Sequence, residues 1–140
     1  MARTFPLLAL MAALGPAALA QQPAARPASP RYTLPTSGEQ VYLAYCASCH
    51  GPKGAGDGPV AQSLKVATPD LTTLAKRNQG EYPAARVSEV IHGESSSRVH
   101  GTADMPVWGP IFRTLDSRSE GATKIRVYNL VEHIRALQAK

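Results

Sequence analysis

Cys46-Ala47-Ser48-Cys49-His50 holds both cysteines of this 140-residue chain and, directly after them, a histidine. C-x-x-C-H is the attachment signature of a c-type haem. The chemistry explains the spacing. Two thiols add across the two vinyl groups on one edge of a porphyrin and form thioethers. Cysteines three apart on a helical turn share a face and can both reach that edge. The next residue then sits beneath the iron, where imidazole is a natural axial ligand.

Three other chemistries use such a pair. A thioredoxin-like redox centre belongs in a βαβ pattern, and the chain has no convincing strand pattern. A zinc site needs two further ligands at close spacing. His92 and His100 are eight apart, and there is no third cysteine. A structural disulfide is the plainest alternative.

Residues 1–20 read as a secretory leader. Arg3 supplies the positive start, an apolar stretch runs from Phe5 to Leu14, and Ala18-Leu19-Ala20 is a small-x-small cleavage site. The apolar run is too short and too broken by Pro6 for a membrane span, which takes about 20 residues. The mature chain then begins at Gln21 and is directed to the periplasm, with no membrane span. Loss of Arg3 from the 15 Lys and Arg leaves 14 against 10 Asp and Glu, a net charge of +4. No basic run or aromatic-interleaved patch accompanies that charge, which argues against a nucleic-acid partner.

Residues 21–35 carry Pro23, Pro27, Pro30 and Pro35 with little to bury, the composition of a flexible tether. Residues 36–140 make one domain. Thr36-x-x-Glu39 has the capping-box pattern and opens a helix that runs into the cysteines. Gly38, Tyr42 and Cys46 share one face of it. The loop from Gly51 to Pro59 has four glycines but is not a phosphate loop. No strand precedes it, its Lys53 precedes the glycine, and no Ser or Thr follows. A turn at Thr68-Pro69-Asp70 leads into a short helix with Leu71 and Leu74 facing in. Ala84 to Ile91 is a second short helix, with Gly93 as its stop. Gly121 to Gln138 is the longest periodic run. Ile125, Val127, Tyr128, Val131, Ile134 and Leu137 follow its spacing, and Leu130 widens the face.

An electron carrier needs a second axial ligand. Met105 is the only methionine of the mature chain, and Met-His ligation raises the reduction potential of a haem. Pro106 stiffens the loop behind it. His100 is the main rival ligand, and His92 and His133 are weaker ones. Trp108 packs either near a haem or in an ordinary core.

With these pieces in this order, the chain resembles a class I monohaem cytochrome c of bacterial type over residues 36–138. Gly38-x-x-x-Tyr42-x-x-x-Cys46 is similar to the family's N-terminal helix. Met105-Pro106-Val107-Trp108-Gly109 resembles its distal-ligand loop, and Leu130-Val131-x-x-Ile134-x-x-Leu137-Gln138 its C-terminal helix. The resemblance implies an all-α fold of short helices and loops wrapped around one covalent haem c. It implies thioethers on Cys46 and Cys49, His50 as proximal ligand and Met105 as distal ligand. It implies that the carbonyl of Pro69 accepts the other ring N–H of His50. It also implies that the first and last helices cross with Gly38 at the close contact. His133 stands where that last helix usually carries an aromatic.

The function implied is electron transfer between a donor and an acceptor protein, not catalysis. The chain would be a free monomer or a relay subunit of a multisubunit periplasmic dehydrogenase or oxidase. Lys53, Lys65, Lys76 and Arg77 are candidates to rim the exposed haem edge. An open-iron enzyme or gas sensor would require that Met105 not bind.

Overall fold

The computed structural model describes residues 33–34, 36–94, 105–115 and 119–139. The leader, nearly all of the tether and His100 lie outside the described residues. Among the described residues there are six α-helices and no strand.

Helix α1, Gly38–Tyr45, is capped one residue later than the sequence pattern suggests. Ser37 has extended backbone, and its Oγ accepts from the N–H of Gln40 at 3.3 Å. Ser37-x-x-Gln40 satisfies the capping pattern as well as Thr36-x-x-Glu39 does. Capping at Ser37 leaves Glu39 in the first turn, where its charge favours the helix dipole. The buried face of α1 is Val41, Tyr42 and Tyr45.

The chain breaks at Cys46 and forms one further turn, α2, Ala47–His50. The loop after it folds back over that turn. Gly56 N–H donates to His50 O at 2.8 Å, Gly58 N–H to Cys49 O at 3.1 Å and Val60 N–H to Ser48 O at 3.0 Å. The carbonyls at the end of α2, which the helix itself leaves unpaired, are satisfied this way. The loop continues through two short 3-10 turns, the second at Leu71–Thr73, into α3, Leu74–Arg77. Leu71 and Leu74 pack against the core, as their placement in the sequence suggests.

Helix α4, Ala84–His92, ends at Gly93 in the left-handed conformation with φ of 83°, the usual use of glycine at a helix end. Helix α5, Trp108–Leu115, is absent from the sequence-based reading. Gly109 and Pro110 look like loop residues. Both lie in the first turn, where a proline's missing N–H costs nothing. Phe112, fully buried on α5, joins the core.

Helix α6, Glu120–Ala136, is capped by Ser119, whose Oγ accepts from Ala122 N–H at 3.2 Å. Val127, Leu130, Val131 and Ile134 are buried as expected, but Ile125 and Tyr128 are not. Ile125 is 47% exposed and Tyr128 65% exposed. The buried positions are Thr123, Arg126, Val127, Leu130, Val131 and Ile134. Arg126 is a charged residue on the inner face. It donates from one guanidinium nitrogen to both the carbonyl and the hydroxyl of Thr33 and lies 5.7 Å from the ring centroid of Phe112. A buried arginine supplied with acceptors and an aromatic face avoids the cost of an uncompensated charge.

Helices α1 and α6 pack so closely that Gly38 has no room for a side chain. A Cβ there would stand 2.0 Å from the carbonyl oxygen of Asn129. His133 fills the space beside this contact, its ring 5.1 Å from that of Tyr42. We expect Gly38→Ala to destabilise the haem-loaded protein by about 1–3 kcal/mol, read from chemical unfolding. An unchanged midpoint would contradict the packing described.

Burial holds His133 below the ordinary imidazole range, partly offset by the Glu39 carboxylate. The folded chain therefore favours the neutral ring. The stability this contributes is complete above the unfolded value of about 6.5 and is lost as the pH falls through the lower folded value. His133→Phe should flatten the acid-side loss of thermal stability. An unaltered slope would contradict it.

Candidate haem-binding site

One helical turn carries both sulfurs. Cys49 N–H donates to Cys46 O at 3.2 Å and His50 N–H to Cys46 O at 2.9 Å. Both cysteines are unpaired; Cys46 is buried and Cys49 half-buried. Burial, with the neighbouring Cys49, pushes the Cys46 thiol up to about 12. A sulfur in that position stays uncharged, and a thioether, which carries no ionisable proton, suits it.

His50 is buried at the end of the turn. Its Nδ1 lies 3.1 Å from the carbonyl oxygen of Pro69. A carbonyl can only accept, so Nδ1 carries the hydrogen and Nε2 keeps its lone pair. Burial lowers the pKa of the ring, and the Pro69 hydrogen bond acts the other way. The neutral imidazole that results is the ligating form.

The backbone around His50 is braced from three sides. Gly51 N–H donates to Ala47 O at 2.9 Å, Gly56 N–H meets His50 O, and the Tyr42 hydroxyl donates to Gly51 O at 2.7 Å. Burial pushes the Tyr42 phenol up to about 12, with Cys46 and Asp57 adding to the rise, so it remains a donor. Gly51 has φ of 76°, and a Cβ on it would stand 1.8 Å from an Asp57 carboxylate oxygen. Only glycine suits that position. Sequence spacing marked Tyr42 as a helix-face residue but not its hydroxyl; the choice of Tyr, which carries a donor, was the available signal.

Met105 begins the segment that leads into α5. It is half-buried and packs against the core. The segment is pressed onto the end of α4. A Cβ on Gly93 would stand 2.3 Å from a Val107 methyl carbon, and one on Gly109 would stand 2.9 Å from His92 O. Trp108 joins an aromatic cluster with Tyr45 at 5.4 Å and Phe112 at 5.8 Å between ring centroids. Tyr45 is the residue before Cys46, so the cluster flanks the first cysteine.

The structure thus brings Cys46, Cys49, His50 and Pro69 together, with Met105 on a separate segment. Among the rival ligands, His133 meets the Tyr42 ring in a tilted contact and His92 packs against Gly109. Among the described residues no three His, Cys, Asp or Glu side chains converge as a metal-ion site. Lys53, Lys65, Lys76 and Arg77 are all exposed, and Arg77 donates to Asp70 O at 2.7 Å. The donor set fits a c-type haem: two sulfurs on one turn and one imidazole of fixed tautomer.

The family model described as cytochrome c oxidase, cbb3-type, subunit III matches residues 33–118. No curated protein and no solved structure gives a match. The matched stretch runs from Thr33, the partner of Arg126, through α5 and stops before α6. It covers more than half of the chain and contains every residue of the donor set. The chain therefore belongs to the family described as cytochrome c oxidase, cbb3-type, subunit III, and carries a class I-like monohaem cytochrome c domain.

Proposed function

We propose that this chain is a periplasmic electron-transfer protein, exported with cleavage after Ala20, that carries one electron on a haem c with His50 and Met105 as axial ligands. The observation that carries the reading is the pairing of two unpaired cysteines on one turn with a histidine whose Nδ1 meets a backbone carbonyl. When bound, the haem supplies a one-electron iron couple. Cys46 and Cys49 hold it covalently. His50 donates Nε2, and the Pro69 carbonyl keeps the ring oriented and more basic. The Met105 thioether, a soft donor, favours the ferrous form. Tyr45, Trp108 and Phe112, packed together beside the first cysteine, would shield the haem from water on that side. With His50 and Met105 both holding the iron, small molecules would find no open position, and the chain would transfer electrons without transforming a substrate.

A second reading has an observation of its own. The matching family is described as an oxidase subunit. The domain would then relay electrons inside a complex and not diffuse between partners. No helix of the described residues is long and apolar enough to cross a membrane. Co-purification with a catalytic partner in fixed stoichiometry favours the relay. A monomer that exchanges electrons in solution favours the free carrier.

Two variants test the ligation. Met105→Ala should bind carbon monoxide rapidly in the ferrous form, whereas the parent protein should respond slowly or not at all. A fast response from the parent protein would mean an open iron position. Replacing Cys46 and Cys49 together by Ala should leave an exported chain with little helix in far-UV circular dichroism, because the haem supplies much of the apolar core. Native helicity without haem would contradict this.

A further inference from the structure

The carbonyl that meets His50 belongs to a segment with little regular structure of its own, and the end of the chain holds that segment. The side chain of Gln138 joins three backbone groups. Its Nε2 donates to Leu71 O at 2.8 Å and to Ile134 O at 2.9 Å, and its Oε1 accepts from Ala75 N–H at 2.9 Å. Ala139 N–H adds a bond to Thr72 O at 2.9 Å. Leu71 lies two residues after Pro69. From its other side, Leu71 N–H donates to Gly54 O at 2.7 Å, in the loop that braces His50. Leu137 packs into the same junction, 3.2 Å from where a Cβ of Gly54 would be.

We infer that Gln138 is a positioning residue for the iron ligand: by clamping Leu71 and Ala75 to the end of α6, it fixes the Pro69 carbonyl against His50 Nδ1 and so tunes the reduction potential. This rests on the haem reading above. Gln138 touches neither His50 nor Pro69, and it acts through the backbone between Pro69 and Leu71. It lies outside the residues matched by the family model, which end at 118.

The sign follows from the chemistry. A firm bond from Nδ1–H to a carbonyl makes the imidazole a stronger donor, which stabilises ferric iron and lowers the potential. A loosened Pro69 segment weakens that bond. The test uses the full haem-loaded protein. Gln138→Ala should raise the reduction potential and speed deuterium exchange at the Ala75 amide. Gln138→Met keeps the length of the side chain and adds no charge but cannot donate to Leu71 O, and it should also raise the potential. It carries the test if the alanine variant does not load. Ser119→Ala weakens the cap of α6 at its other end and should lower the unfolding midpoint with the potential unchanged.

A Gln138 variant that is less stable at the parent potential would make the clamp structural only and overturn the inference. A Ser119→Ala shift as large as that of Gln138→Ala would overturn it too, by tracing the effect to general loosening. Failure of the haem reading would be visible earlier, as a parent protein without covalent haem or without His50 on its iron.

Discussion

The hydrogen bond between His50 Nδ1 and the Pro69 carbonyl joins two stretches that share no regular element. Much of the fold can be traced outward from it. His50 ends a single turn whose carbonyls are paired by the glycine loop. That turn continues from α1, and α1 is pressed onto α6 at Gly38. Pro69 precedes Leu71, which is bonded to the glycine loop on one side and to the end of α6 on the other. The first and last helices therefore reach the same imidazole by different routes, one through Tyr42 and Gly51 and one through Leu71.

This arrangement places polar bonds where apolar packing is thin. Residues 51–73 contain no α-helix, and their side chains contribute little to the buried core. The apolar core proper lies among α1, α4, α5 and α6. The loops beside the cysteines are held by backbone amides that meet specific carbonyls, and by glycines where a Cβ would collide. A chain built this way gains from a large apolar group seated against those loops. The charged groups are managed locally: Arg126 meets Thr33 and Phe112, and Arg135 pairs with Glu132 while lying over the Tyr82 ring.

Some of this was legible in the residues. The C-x-x-C-H spacing points to a covalent attachment because it matches the chemistry of one porphyrin edge. The close approach at Gly38 followed from a resemblance, as did the carbonyl of Pro69. The start of α1 was ambiguous because two overlapping tetrapeptides both satisfy the capping pattern. The inner face of α6 was legible at Val127, Leu130, Val131 and Ile134 but not at its edges, because Ile125 and Tyr128 are apolar enough to suggest burial, while Arg126 carries a charge that suggests exposure. Its acceptors lie 93 residues away in sequence, beyond any local pattern. Helix α5 was hidden by a Gly-Pro pair that breaks a helix interior but is harmless in a first turn. The Gln138 clamp spans 63 and 67 residues, and a glutamine near a chain end carries no local signal.

The most direct test of the account is the far-red absorption of the purified oxidised protein. Ligation by His50 and Met105 predicts a sulfur-to-iron charge-transfer band, with a spectrum typical of covalent haem when the protein is reduced. Covalent haem without that band would mean that Met105 does not hold the iron, and the electron carrier described here would give way to bis-histidine ligation or an open site.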